Sequence, residues 1–159
     1  GDNRDLHSFP TRRSSDLDKV YFNLVKDFDE EWNKESRSRI ASITPWSANR
    51  DGCAIRHATA RLAAQRYRTK ILILIGDGIP ADPDYGEADG ATTGDYAQED
   101  TRRAILEARK AGIVPFCITI DESAKDHIRR MYGDYSYSVI GDLSVLPQRL
   151  ARLYLRLSG

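Results

Sequence analysis

The chain holds only two cysteines, a single methionine and no net charge, with 24 basic side chains balanced by 24 acidic ones over 159 residues. Cys53 and Cys117 stand far apart and outside any Cys-x-x-Cys, which argues for reduced core thiols rather than a disulfide or a metal pair. Without a basic surplus, sequence-blind binding of nucleic acid through phosphates has no electrostatic footing. The longest apolar run, Ile71 to Ile75, has five residues. A membrane span needs about 18–20, so no membrane partner is expected. No signal-peptide hydrophobic core opens the chain, and a cytoplasmic location is the expectation. Neither a GxxxxGK[ST] phosphate loop nor a GxSxG elbow occurs, which removes the commonest nucleotide- and acyl-transfer signatures. His57 and His127 lie in helical stretches with no nucleophile nearby and read as structural. The length suits one core and hardly two.

Residues 1–17 stand apart from the rest. Leu6, Phe9 and Leu17 follow neither the helical nor the strand period. The run from Asp5 to Leu17 resembles the conceptual translation of a sequencing-library adapter, which Gly1-Asp2-Asn3-Arg4 nearly continues upstream. It is set aside, His7 included, as an artefactual tail without function, leaving 18–159 as the domain. A start near Asp18 would make the chain a fragment whose beginning was lost; by the resemblance drawn below, the first strands would be what is missing.

From there strands and helices alternate. Val20 to Val25 alternates as a half-exposed strand. Asp29 is placed to cap a helix carrying Trp32, Ile40 and Ile43 before Pro45 stops it. Asn49-Arg50-Asp51-Gly52 is a turn that starts a helix with Ile55, Ala58 and Leu62 on its apolar side. Ile71 to Ile75 is apolar on both faces, the pattern of a strand buried between helix layers. Asp95-x-x-Gln98 resembles a capping box before a helix that turns Ala97, Thr101, Ala104, Ile105 and Ala108 inward and ends at Gly112. Val114 to Ile120 is the next strand, with Pro115 near its start. Asp121 is placed to cap a helix through Ile128, Met131 and Tyr132 that Gly133 closes. Tyr137 to Ile140 is a short strand, and the last helix aligns Leu146, Leu150, Leu153, Tyr154 and Leu157. This order predicts an α/β fold, a mostly parallel, Rossmann-like sheet with helices on both faces.

Ligands of such sheets bind beyond the carboxyl ends of the strands. Gly76-Asp77-Gly78 follows the apolar strand at once, so a carboxylate stands where flanking glycines let the backbone turn sharply. The loop runs on to about Gly94 with Asp82, Asp84, Glu87 and Asp89, hard oxygen donors suited to Mg²⁺ or Ca²⁺. It is no EF-hand, because neither the glycine at the sixth position nor the glutamate at the twelfth is present.

From Lys19 to Leu157 the sequence resembles the von Willebrand factor A-type domain that ends the nitric oxide reductase activation proteins. The likeness rests on Lys26-Asp27-Phe28-Asp29-Glu30, Asn49-Arg50-Asp51-Gly52 with Ala54-Ile55-Arg56, and Ile75-Gly76-Asp77-Gly78 with Pro80. It continues through Glu99-Asp100-Thr101-Arg102, Glu107-Ala108, Gly112-Ile113 and Leu146-Pro147. The resemblance implies a binding module rather than an enzyme. Its metal-ion-dependent adhesion site would hold a divalent cation such as Mg²⁺, completed by a partner's carboxylate. Asp77 matches the site's aspartate after the fourth strand. Asn49 or Asp51 falls where a threonine is usual, and the Asp-x-Ser-x-Ser of the first strand is missing, so this chain would hold the cation weakly or not at all. Gly76, Gly78 and Asp82 would border the docking partner. The resemblance also implies a MoxR-type AAA+ ATPase as co-worker and a target protein that the pair activates. Asp134-Tyr135-Ser136-Tyr137-Ser138 imitates the missing motif, yet it leads into a strand instead of leaving one. The alternative is an Mg²⁺-dependent phosphatase of the haloacid dehalogenase type, with Asp27 as nucleophile, Asp29 as proton shuttle, and Asp77 with Asp82 on the metal.

Overall fold

A computed structural model describes residues 20, 22–44, 49–80 and 93–158. The tail assigned to an adapter, Pro45, and the loop acids Asp82, Asp84, Glu87 and Asp89 lie outside the described residues. The chain divides into two compact units, Gly1–Asn49 and Arg50–Gly159.

In the first unit, helix α1 spans Lys34–Ala41. Its cap is Asn33 and not Asp29: the Asn33 side chain accepts from Ser36 N at 3.0 Å, while Ser36 Oγ accepts from Asn33 N at 3.0 Å. This reciprocal pair satisfies two donors that a helix start leaves open. Trp32, Ile40 and Ile43 are exposed rather than inward-facing. Val20 and Phe22–Val25 form no strand. Instead Arg39 Nε donates to Val25 O at 2.6 Å and its guanidinium pairs with Glu30, tying the irregular segment to α1. Asn23 and Lys26 interrupt the apolar run, and local hydrogen bonding replaces a ladder.

The second unit carries the predicted architecture. Helix α2 (Asp51–Ala63) precedes strand β1 (Ile71–Gly76), and α3 (Thr93–Lys110), β2 (Val114–Thr119), α4 (Lys125–Tyr132), β3 (Tyr137–Val139) and α5 (Leu146–Ser158) follow. The strands form one parallel sheet in the order β1-β2-β3, with Leu74 opposite Cys117 and Cys117 opposite Tyr137. Successive parallel crossovers that step in one direction put their helices on one face. Accordingly Ile55 of α2, Ala104, Ile105 and Ala108 of α3, and Ile128, Met131 and Tyr132 of α4 form one core with Cys117, and Leu72 and Leu74 pack against it. The opposite face pairs Phe116, Ile118 and Ile140 with Leu153 of α5, and Ile73, Leu146, Leu150 and Leu157 close that layer. Tyr154 is exposed, outside the predicted apolar row.

β1 departs from expectation. Its first four residues are half-buried and Ile75 is 57% exposed. Both faces are covered by helices, and among the described residues only β2 pairs with β1. The buried central strand is β2, whose residues from Pro115 to Thr119 are all buried. Pro115 is tolerated there for a specific reason. Cys117 N donates to Ser136 O at 2.9 Å, so the odd residues of β2 present their amides towards β3. β3 begins opposite Cys117, and at Pro115 no ladder bond is lost.

Two caps also differ. Asp95 lies inside the first turn of α3, not at its cap. Asp121 accepts from Ser123 N at 2.8 Å and Ser123 Oγ at 2.6 Å, a turn that leaves Ala124 as the cap of α4. Gly133, at φ 79°, does close α4.

Candidate functional site

The site begins where β1 ends. Asp77 is exposed at the strand's carboxyl end, and its Oδ1 accepts from Ile79 N at 3.1 Å. That bond curls the backbone round the carboxylate and holds it at the rim. Gly78 makes the turn possible. Its φ is +80°, and a Cβ there would lie 2.6 Å from Ile128 Cγ1 in the floor formed by α4. Gly76 is under no comparable constraint, since only Gly78 N lies near its Cβ direction. Pro80 is buried and anchors the far end of the turn.

Asp51 opens α2, where a carboxylate meets the positive end of the helix dipole. Its neighbour Gly52 is buried because α3 passes too close for a side chain: a Cβ would overlap the Asp100 carboxylate. Asp100 in turn pairs with Arg56 at 2.8 Å, and Arg56 Nε reaches Glu107 Oε2 at 2.8 Å, so α2 and α3 are clasped just behind Asp51.

Asp51 and Asp77 arrive from different elements, yet the negative charge of both bears on the Cys117 thiol. Burial, then Asp51, then Asp77 raise its pKa to about 12, against a hydrogen bond from Tyr132 that lowers it. The same burial raises the Tyr132 hydroxyl. Cys117 is therefore a neutral core thiol, as its spacing suggested.

Of the predicted site residues, Asp51, Gly76, Asp77 and Gly78 belong to this one unit. Asn49 is exposed and belongs to the other unit, and Asp82 lies outside the described residues. Two carboxylates are hard oxygen donors of the kind Mg²⁺ takes, but its octahedral shell needs more. Among the described residues no three His, Cys, Asp or Glu side chains gather as a metal site. Asp51 and Asp77 alone would not close such a shell.

The look-alike Asp134 sits between α4 and β3, ion-paired to Arg129 Nε at 2.5 Å. His127 Nδ1 meets Gln98 Oε1 at 3.1 Å, linking α4 to α3. The phosphatase premise fails locally. No strand leads into Asp27, and its Oδ1 accepts from Phe28 N at 2.7 Å within a turn. Asp121, expected only as a helix cap, is also a carboxylate just beyond the end of β2, in a position after an apolar strand that parallels that of Asp77.

A parallel sheet covered by helices on both faces, with an aspartate and a positive-φ glycine at one strand's carboxyl end, is the framework of a von Willebrand factor A domain. Residues 7–154 match the family described as the cobalamin biosynthesis protein CobT von Willebrand factor A domain. The chain belongs to that family. It is 40% identical over 159 residues, its whole length, to protein NorD of Brucella suis, covering 24% of that protein. It is 39% identical over 151 residues to protein NorD of Stutzerimonas stutzeri, with 95% of the chain and 22% of that protein covered. An uncharacterized protein of Bacillus subtilis, YojO, is 35% identical over 142 residues, 86% of the chain and 21% of its own length. The chain thus spans about a quarter of the relatives it matches. No solved structure matches it. No helix among the described residues is long and apolar enough to cross a membrane.

Proposed function

We propose that this domain is a non-catalytic protein-binding module whose metal edge, built round Asp77, engages a partner carboxylate through Mg²⁺ or a similar divalent cation. The parent protein would act in the cytoplasm as the adaptor of a MoxR-type AAA+ ATPase. Together they would activate a target enzyme such as nitric oxide reductase, by metal insertion or remodelling. One observation carries the reading: Asp77 is exposed at the carboxyl end of β1, with its carboxylate held at the rim by the Ile79 amide. Exposure leaves an acceptor oxygen for a cation, and a fixed turn limits the entropy lost on binding. When bound, the cation would supply a positive charge that a partner's carboxylate can complete. The likeness to NorD supports the choice of pathway.

The test immobilises the chain and passes a MoxR-type ATPase and the reductase over it, with magnesium or with EDTA. Retention that needs magnesium and disappears in Asp77→Ala supports the reading. Retention indifferent to both contradicts it. Hydrolysis of p-nitrophenyl phosphate that Asp27→Asn abolishes would replace it with the phosphatase.

A further inference from the structure

A second candidate site lies at the opposite end of the sheet from Asp77. Between α5 and the segment leading through β3 is an open cavity of about 700 Å³, with Phe116 and Leu153 among its apolar lining. Arg149, Arg152 and Arg156 line one side. At i, i+3 and i+7 they form a single row along α5, about 10 Å from first to last by helical rise. Arg156 also stacks over the Phe116 ring, Cζ 5.7 Å from its centroid. No acidic side chain pairs with these three arginines among the described residues. The cavity's own acid, Asp134, is engaged by Arg129. Tyr135, 90% exposed, stands on the facing side. Unpaired guanidinium groups beside exposed tyrosine are the composition of a recognition surface rather than of a solvated face.

The adjoining strand defines the shape of the ligand. Ser136 O and Ile140 N bond to β2, so Tyr137 and Val139 turn their N–H and C=O groups outward. No strand pairs with that side of β3 among the described residues. An extended segment can add there by main-chain hydrogen bonds. Its side chains on one face recur about every 7 Å. A spread row of arginines suits such separated carboxylates better than one compact phosphate, and bidentate pairing fixes each one.

We infer that this groove binds an extended acidic peptide segment of a partner protein, laid along β3 with its carboxylates on Arg149, Arg152 and Arg156. The contact needs no cation and is separate from the Asp77 edge.

The test measures fluorescence anisotropy of a fluorescein-labelled peptide alternating glutamate with valine, titrated with the whole chain. Saturable binding is expected, unchanged by EDTA and absent when glutamine replaces glutamate. Arg149→Glu and Arg152→Glu should each weaken it about fivefold to tenfold. Arg130→Glu, an equal charge change on exposed α4, should leave it unchanged, which separates the groove from general attraction to a basic protein. Circular dichroism checks that each variant is folded. Four results overturn the inference: no binding, equal weakening by Arg130→Glu, loss with EDTA or Asp77→Ala, or binding of tripolyphosphate in place of the peptide.

Discussion

Gly52→Ala tests whether α2 and α3 are clasped as closely as the structure has them. In an ordinary helix this change stabilises by about 1 kcal/mol, because glycine loses more backbone freedom on folding. Here the added methyl would overlap the Asp100 carboxylate and lie 2.7 Å from its carboxyl carbon. Asp100 cannot simply swing aside, since its Oδ1 is held 2.8 Å from Arg56 Nη1 with only 19% of the side chain exposed. Overpacking of this kind costs about 1–3 kcal/mol, and displacing a half-buried ion pair adds up to about 1 kcal/mol. The propensity gain is outweighed, and Gly52→Ala should destabilise by about 1–2 kcal/mol. Urea unfolding followed by circular dichroism reads this as a lower midpoint at unchanged slope. The decisive measurement repeats the change in an Asp100→Ala background, where the obstructing carboxylate is gone. There the sign should reverse, to a stabilisation of about 0.5–1 kcal/mol. A neutral or stabilising Gly52→Ala in the parent chain would refute the close approach and the anchoring of Asp51 that depends on it.

Gly78→Ala should destabilise by about 2–4 kcal/mol, combining a left-handed backbone with a clash on buried Ile128, and thermal unfolding checks it. With its pKa pushed to about 12, Cys117 should resist a disulfide reagent at pH 8 until denaturant is added, whereas the half-buried Cys53 reacts in the native chain. Isothermal calorimetry should find Mg²⁺ binding no tighter than about millimolar, since two carboxylates leave most of the shell to water; a micromolar site would mean that other ligands complete it. Arg102 and then Arg103 hold Glu99 down at about 2, so its contribution is present above pH 4.5 and lost as pH falls towards 2. Because the pair is exposed, Glu99→Gln should flatten that acid limb by less than about 1 kcal/mol.

Side chains with many neighbours were legible in the sequence. Ala97, Thr101, Ala104, Ile105 and Ala108 all turned inward as their spacing required, because an 18-residue amphipathic helix has one way to face a sheet. Gly133 and the start of α2 were legible for the same local reasons. Position within the sheet was not. The run Ile71–Ile75 reads as interior because both its faces are apolar, but facial burial comes from helices and says nothing of how many strands flank it. Caps failed where several small polar residues compete. Asn33 and Ser36 outbid Asp29 through a reciprocal pair, and Asp121 spent its oxygen on Ser123. The place of Asp77 at the rim was legible because it directly follows the apolar run that forms β1. The arginine row of α5 was not legible because it is interleaved with the leucines that set the helix's apolar period.

Pro115 has an effect beyond its own strand. It offers no amide for a rung before the one at Ser136, and Tyr135 lies outside the sheet. Had an ordinary residue stood there, an additional rung could form and draw the tyrosine's backbone in against β2, narrowing the entrance beside α5. The opening beside α5 thus adjoins a stretch of β2 that has no donor to offer it.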